Sequence, residues 1–80
     1  MPRYFFDSDD GHKLLRDEEG SELPDDQAAL NEGARTMGEM ARDYLPGGDR
    51  QKNITMWVRD EEGHALLQLA LSFAVRRLKP

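Results

Sequence analysis

The 80-residue chain contains no cysteine. That absence removes a disulfide framework, a cysteine-ligated zinc, an iron–sulfur cluster and a thiol nucleophile, and it suits a reducing, cytoplasmic setting. Long apolar runs are missing as well. No stretch approaches the roughly 18 to 20 residues of a membrane-spanning helix, and Met1-Pro2-Arg3-Tyr4 lacks the apolar segment of a signal peptide. A soluble protein with no membrane role is therefore expected. Bases are in short supply, with 11 Lys and Arg against 16 Asp and Glu. Nucleic acid is an unfavoured partner on that balance, because phosphate binding draws on Lys and Arg. Large aliphatics are sparse too: Leu, Ile, Val and Phe are 16 of the 80 residues, near the border at which chains stop folding alone. The chain is expected to be a single small domain over 1–80, with a core thin enough to gain from a second copy.

Turn signals order what is present. Asp9-Asp10-Gly11-His12-Lys13-Leu14-Leu15 recurs as Glu61-Glu62-Gly63-His64-Ala65-Leu66-Leu67, 52 positions later. A β-prone apolar stretch precedes each copy, Tyr4-Phe5-Phe6 and Met56-Trp57-Val58. Two acids and a glycine between such stretches supply a polar turn with one positive-φ position, so each copy reads as a hairpin. A second match aligns Arg16-Asp17-Glu18-Glu19-Gly20 with Arg59-Asp60-Glu61-Glu62-Gly63. It is a longer identity but lacks matching apolar flanks, and reads as a further turn of the same chemistry.

Between the hairpins the spacing predicts a helix over 26–45. Pro24-Asp25-Asp26 is a start signal, because aspartate accepts from the free amides of the first turn, and Pro46-Gly47-Gly48 is the stop. At 100° per residue, Leu30, Gly33, Ala34, Met37, Ala41, Tyr44 and Leu45 share the inward side, with Glu32, Arg35, Glu39 and Arg42 outside. The small inward residues imply a close approach of helix to sheet. The later hairpin, 53–71, alternates Ile54, Met56 and Val58 inward, and Met37 and Ala41 are expected to meet Ile54, Val58 and Leu67. The predicted fold is α+β: a two-layer ββαββ domain, with hairpins 3–16 and 53–71 in one antiparallel sheet and one amphipathic helix on one face. The tail, 72–80, either continues the last strand or forms a short C-terminal helix that folds back.

The opening Met1-Pro2-Arg3-Tyr4-Phe5-Phe6 and the run Arg16-Asp17-Glu18-Glu19-Gly20-Ser21-Glu22-Leu23-Pro24-Asp25 resemble a family of short bacterial proteins catalogued only as a domain of unknown function. The resemblance spans nearly the whole chain and implies a strand-strand-helix-strand-strand layout. It transfers no activity and no catalytic residue. At Asp7 the chain departs from the family pattern, which keeps a polar aromatic or His there.

Candidate chemistry is thin. His12 and His64 follow equivalent turns and would form a metal or acid/base pair only if the hairpins lay side by side. The acidic runs lack the spacing of a calcium loop. No nucleophile motif or phosphate-cradling glycine loop is present, so no enzyme, no cofactor and no metal are expected. Phe5, Trp57 and Leu66 fall on the sheet face that one helix cannot cover, which points to a protein-interaction or self-associating module, a homodimer first among the options and an unknown protein partner second. The alternative is a weak nucleic-acid-binding or regulatory module. It would use Arg59, Arg76, Arg77 and Lys79 as a basic patch beside Trp57.

Overall fold

The computed structural model describes residues 1–48 and 50–79; Pro80, the end of the expected tail, lies outside the described residues. Its elements are β1 (Arg3–Asp9), β2 (Leu14–Leu15), β3 (Ser21–Glu22), α1 (Asp26–Tyr44), β4 (Lys52–Arg59) and β5 (Ala65–Phe73). One antiparallel sheet in the order β2-β1-β4-β5 carries the helix, and β3 also pairs with β1. The α+β, two-layer reading holds, with a short extra strand. Each hairpin turns on a positive-φ glycine, Gly11 at 92° and Gly63 at 89°, a conformation that costs a side-chain-bearing residue far more.

The extra strand has a simple origin. β2 pairs Leu15 with Ser8, and β3 pairs Ser21 with Tyr4, so β1 advances four residues while the returning chain advances six. The surplus bulges out as the 16–20 segment. The tail differs from one expectation: β5 runs on to Phe73, and residues 74–79 form neither helix nor strand. A short C-terminal helix is absent among the described residues. Val75 and Leu78 there stay exposed, Leu78 to 86%, so no apolar burial draws the tail onto the sheet.

The helix starts where the sequence places it. Asp25 is the N-cap, its carboxylate accepting from the Ala28 amide at 2.9 Å. At the other end Lys52 Nζ donates to the free carbonyls of Tyr44 and Leu45, at 2.8 and 3.3 Å, placing a cation at the negative end of the helix dipole. Two tyrosines pin the helix along β1: Tyr4 donates to Asp26 Oδ1 at 2.8 Å, and Tyr44 donates to the Asp10 carbonyl at 2.7 Å.

The inward stripe is Ala29, Gly33, Met37 and Ala41; Leu30 and Ala34, expected to face inward, are exposed. The helix is rotated by about one position relative to the expected phase, seating Ala29 under Tyr4 and Val58. Because α1 lies over β4 and β5, with its two ends tethered near the two ends of β1, its two halves meet opposite ends of the sheet. Met37 and Ala41 pack on Ile54 and Met56, whereas Val58 and Leu67 pack toward Ala29. The expected contact of Met37 and Ala41 with Val58 and Leu67 is therefore replaced by this division. Close approach is confirmed at Gly33, where a Cβ would lie 3.3 Å from Leu69 Cδ2 and from Met56 Sδ.

Candidate interaction surface

Asp7 of β1 and Arg59 of β4 are diagonal neighbours on the side of the sheet away from α1, Asp7 standing opposite Trp57 and Arg59 opposite Phe5. Arg59 Nε donates to Asp7 Oδ2 at 2.7 Å, and the two side chains are only 14% and 15% exposed. A pair this far out of water is sensitive to the loss of either member. Arg59 Nη2 also donates to the Asp17 carbonyl at 2.8 Å, and the guanidinium lies 4.7 Å from the centre of the Phe5 ring.

Asp17 ties the bulged segment into this cluster. Its Oδ2 accepts from the Phe6 amide at 3.1 Å, taking the place of a strand partner between β2 and β3, and its own amide donates to Asp7 Oδ1 at 2.9 Å. Its Oδ1 accepts from the amides of Glu19 and Gly20. Gly20 sits at φ 73° against β1, where a Cβ would lie 2.8 Å from Phe5 Cε2 and 2.9 Å from the Tyr4 carbonyl. Asp60 repeats part of this device in the second hairpin, accepting from the Glu62 and His64 amides at 2.9 Å each. The match of Arg16–Gly20 with Arg59–Gly63 thus carries a repeated carboxylate-to-amide turn.

Burial alone would raise the pKa values of Asp7 and Asp17, but their hydrogen bonds outweigh it. Asp7 is lowered by Arg59, the Asp17 amide and the charges of Arg59 and Arg16, and Asp17 by the amides of Gly20, Phe6 and Glu19. Asp10 and Asp60 are lowered chiefly by turn amides, those of His12 and Lys13 and that of His64 respectively.

The sequence-derived candidates separate on this frame. Phe5 is half-buried, enclosed by Arg59 and Gly20 rather than offered to a partner. Trp57 is half-buried on β4, between Asp7 of β1 and Gln68 of β5. Leu66 falls at the irregularity where the ladder passes from Val58–Leu67 to Arg59–Ala65, and is 40% exposed. The basic patch does not assemble around Arg59. That residue stands opposite Ala65 at the start of β5, while Arg76, Arg77 and Lys79 follow Phe73 at its far end. His12 and His64 are also apart, on turns at opposite ends of the β1–β4 ladder. Among the described residues no three His, Cys, Asp or Glu side chains are grouped to hold a metal ion. A cleft of about 390 Å³ lies between the first turn and the end of α1, lined in part by His12, Tyr44 and Lys52. Tyr44 and Lys52 are already engaged there in tethering and capping the helix.

Composition and alternation did not single out the outer edge of β5. It is nine residues long, Ala65-Leu66-Leu67-Gln68-Leu69-Ala70-Leu71-Ser72-Phe73, with no charge and no proline, and among the described residues it pairs with β4 alone. Leu67, Leu69, Leu71 and Phe73 are half-buried. Natural sheets blunt such edges with charges, prolines, bulges or cover; here the only irregularity lies at the first residues of the strand.

No helix among the described residues is long and apolar enough to cross a membrane. The family described as a domain of unknown function, DUF6894, matches residues 3–72, and the chain belongs to it. No curated protein and no solved structure matches the chain. The stretch that carried the resemblance is accounted for as scaffolding: Asp17 and Gly20 fasten the bulge, Leu23 packs beside Tyr4 and Val58, and Asp25 caps the helix.

Proposed function

We propose that this member of the family is a non-enzymatic, self-associating protein-interaction module, working as a cytoplasmic homodimer. The observation that carries the reading is the one-sided cover of the sheet. α1 occupies one face, while Trp57 stays half-buried on β4, Leu66 is 40% exposed, and the outer edge of β5 is unpaired among the described residues. A chain of this size buries only about 60% of the surface its unfolded form exposes, so a second copy supplies burial that the monomer lacks. The polar residues argue for structure rather than chemistry: the most deeply placed charges, Asp7 and Arg59, satisfy each other. Arg59, which the nucleic-acid alternative needs, is neutralised by Asp7 and distant along β5 from the basic tail. Light scattering at micromolar concentration tests the reading. The expected mass is twice the 9.1 kDa of the chain, and a monomer throughout contradicts it.

A further inference from the structure

We infer that two copies pair along β5, antiparallel and in one register, about a two-fold axis normal to the sheet that passes midway between the Leu69 residues of the two copies. This rests on the self-association proposed above and specifies its surface.

Three features of the strand support it. β5 offers nine uncharged residues as an edge that no other strand of the described residues pairs, a template for main-chain hydrogen bonding to another strand. Leu69 is the midpoint of Ala65–Phe73. A two-fold there sets Leu67 of one copy opposite Leu71 of the other, and Leu69 opposite itself. The half-buried Leu67, Leu69 and Leu71 of both copies then form one apolar row, since directly paired residues of an antiparallel ladder share a face. Both helices lie on the same side of the extended sheet, so each copy's leucines gain cover that its own helix leaves incomplete.

The charges outside the strand decide for a second copy over a foreign strand. Glu61 and Glu62 precede β5, Arg76 and Arg77 follow it, and all four are exposed. Counted from Leu69, Glu62 lies seven positions before and Arg76 seven after; Glu61 lies eight before and Arg77 eight after. Antiparallel pairing centred on Leu69 therefore leaves the acidic turn of each copy and the basic tail of the other at the same end of the paired strands, at both ends of the interface. The same strand paired in parallel would set acid beside acid and base beside base, which like-charge repulsion opposes. The sequence is thus complementary to itself in one direction only.

The test uses two double variants of the full chain and their mixture. Glu61→Lys with Glu62→Lys places lysines against the partner's arginines. Arg76→Glu with Arg77→Glu places glutamates against the partner's acids. Each variant alone is expected to weaken dimerisation by about tenfold or more and to elute as a monomer where the wild type is a dimer. Mixed, the two variants are opposite in charge at both ends and are expected to form a heterodimer, which also shows that both are folded. A wild type that is monomeric throughout overturns self-association and this pairing together. A wild-type dimer that neither variant weakens keeps self-association and overturns the β5 interface. Variants that are both monomeric alone and stay so on mixing overturn the antiparallel register.

Discussion

The two outer edges of the sheet are treated in opposite ways by the same chain. At the β1 edge the returning chain is broken into two-residue strands, and the gap between them is filled by Asp17, whose carboxylate takes the Phe6 amide. At the β5 edge nine uncharged residues run with no strand partner beyond β4 among the described residues. An edge filled by a carboxylate and followed by charged turns cannot accept another strand; one lined by leucines and alanines can. The polar residues of this protein are therefore concentrated where pairing is prevented, and their absence marks the edge left free.

The strongest way to break the closed edge is to remove its anchor. Arg59→Ala leaves the Asp7 carboxylate nearly buried without its partner and releases the Asp17 carbonyl, and a loss of about 2 to 4 kcal/mol is expected by chemical denaturation. A loss under about 0.5 kcal/mol, the range of an ordinary surface change, would place the pair in effective contact with water. Gly20→Ala comes next. Positive φ and a Cβ 2.8 Å from the Phe5 ring are expected to cost about 1 to 3 kcal/mol, and an unchanged midpoint would show that the bulge can move away from β1. Ala41→Phe, against Ile54 and Met56 under the helix, is expected to cost a similar 1 to 3 kcal/mol or so by overpacking. Unlike the edge variants, it should leave the pH dependence of stability unaltered.

That pH dependence has a definite sign. Asp7, Asp10, Asp17 and Asp60 have folded pKa values below the ordinary one. Their stabilisation is fully present above the unfolded value of about 3.9 and is lost as pH falls through the lowered folded values. Denaturation midpoints should therefore fall on acidification through that window, and Asp17→Asn should flatten the fall. An equally steep fall in the variant would move the linkage to other carboxylates. Smallest of all, Glu32→Ala breaks an exposed helix pair, 2.6 Å from Arg35, and is expected to change stability by only a few tenths of a kcal/mol.

The hairpins, the helix and its caps were legible in the sequence because each depends on local chemistry: glycine at a positive-φ turn, aspartate at an N-cap, alternation in Ile54, Met56 and Val58. The helix phase was legible only to within one position. Ala28, Ala29, Leu30, Gly33 and Ala34 make a broad apolar arc, and the sheet selected Ala29 and Gly33 from it for closest approach. The Asp7–Arg59–Asp17 cluster was not legible. Its members lie as far as 52 positions apart in the chain, and nothing in periodicity reveals an aspartate side chain taking a strand's place. Arg59 accordingly read as part of a basic patch. The β5 edge was hidden for a related reason: alternation along a strand does not reveal strand order, and only that order shows that, among the described residues, no further strand lies beyond β5.

Amide hydrogen exchange along β5, followed as a function of protein concentration, tests most directly whether that edge is a pairing surface. In a lone copy alternate β5 amides point away from β4 and exchange freely, whereas in the paired copy they donate across the two-fold. Continuous protection centred on Leu69 at high concentration is expected, with every second amide losing it on dilution. Alternate amides that exchange freely at every concentration would contradict pairing through β5.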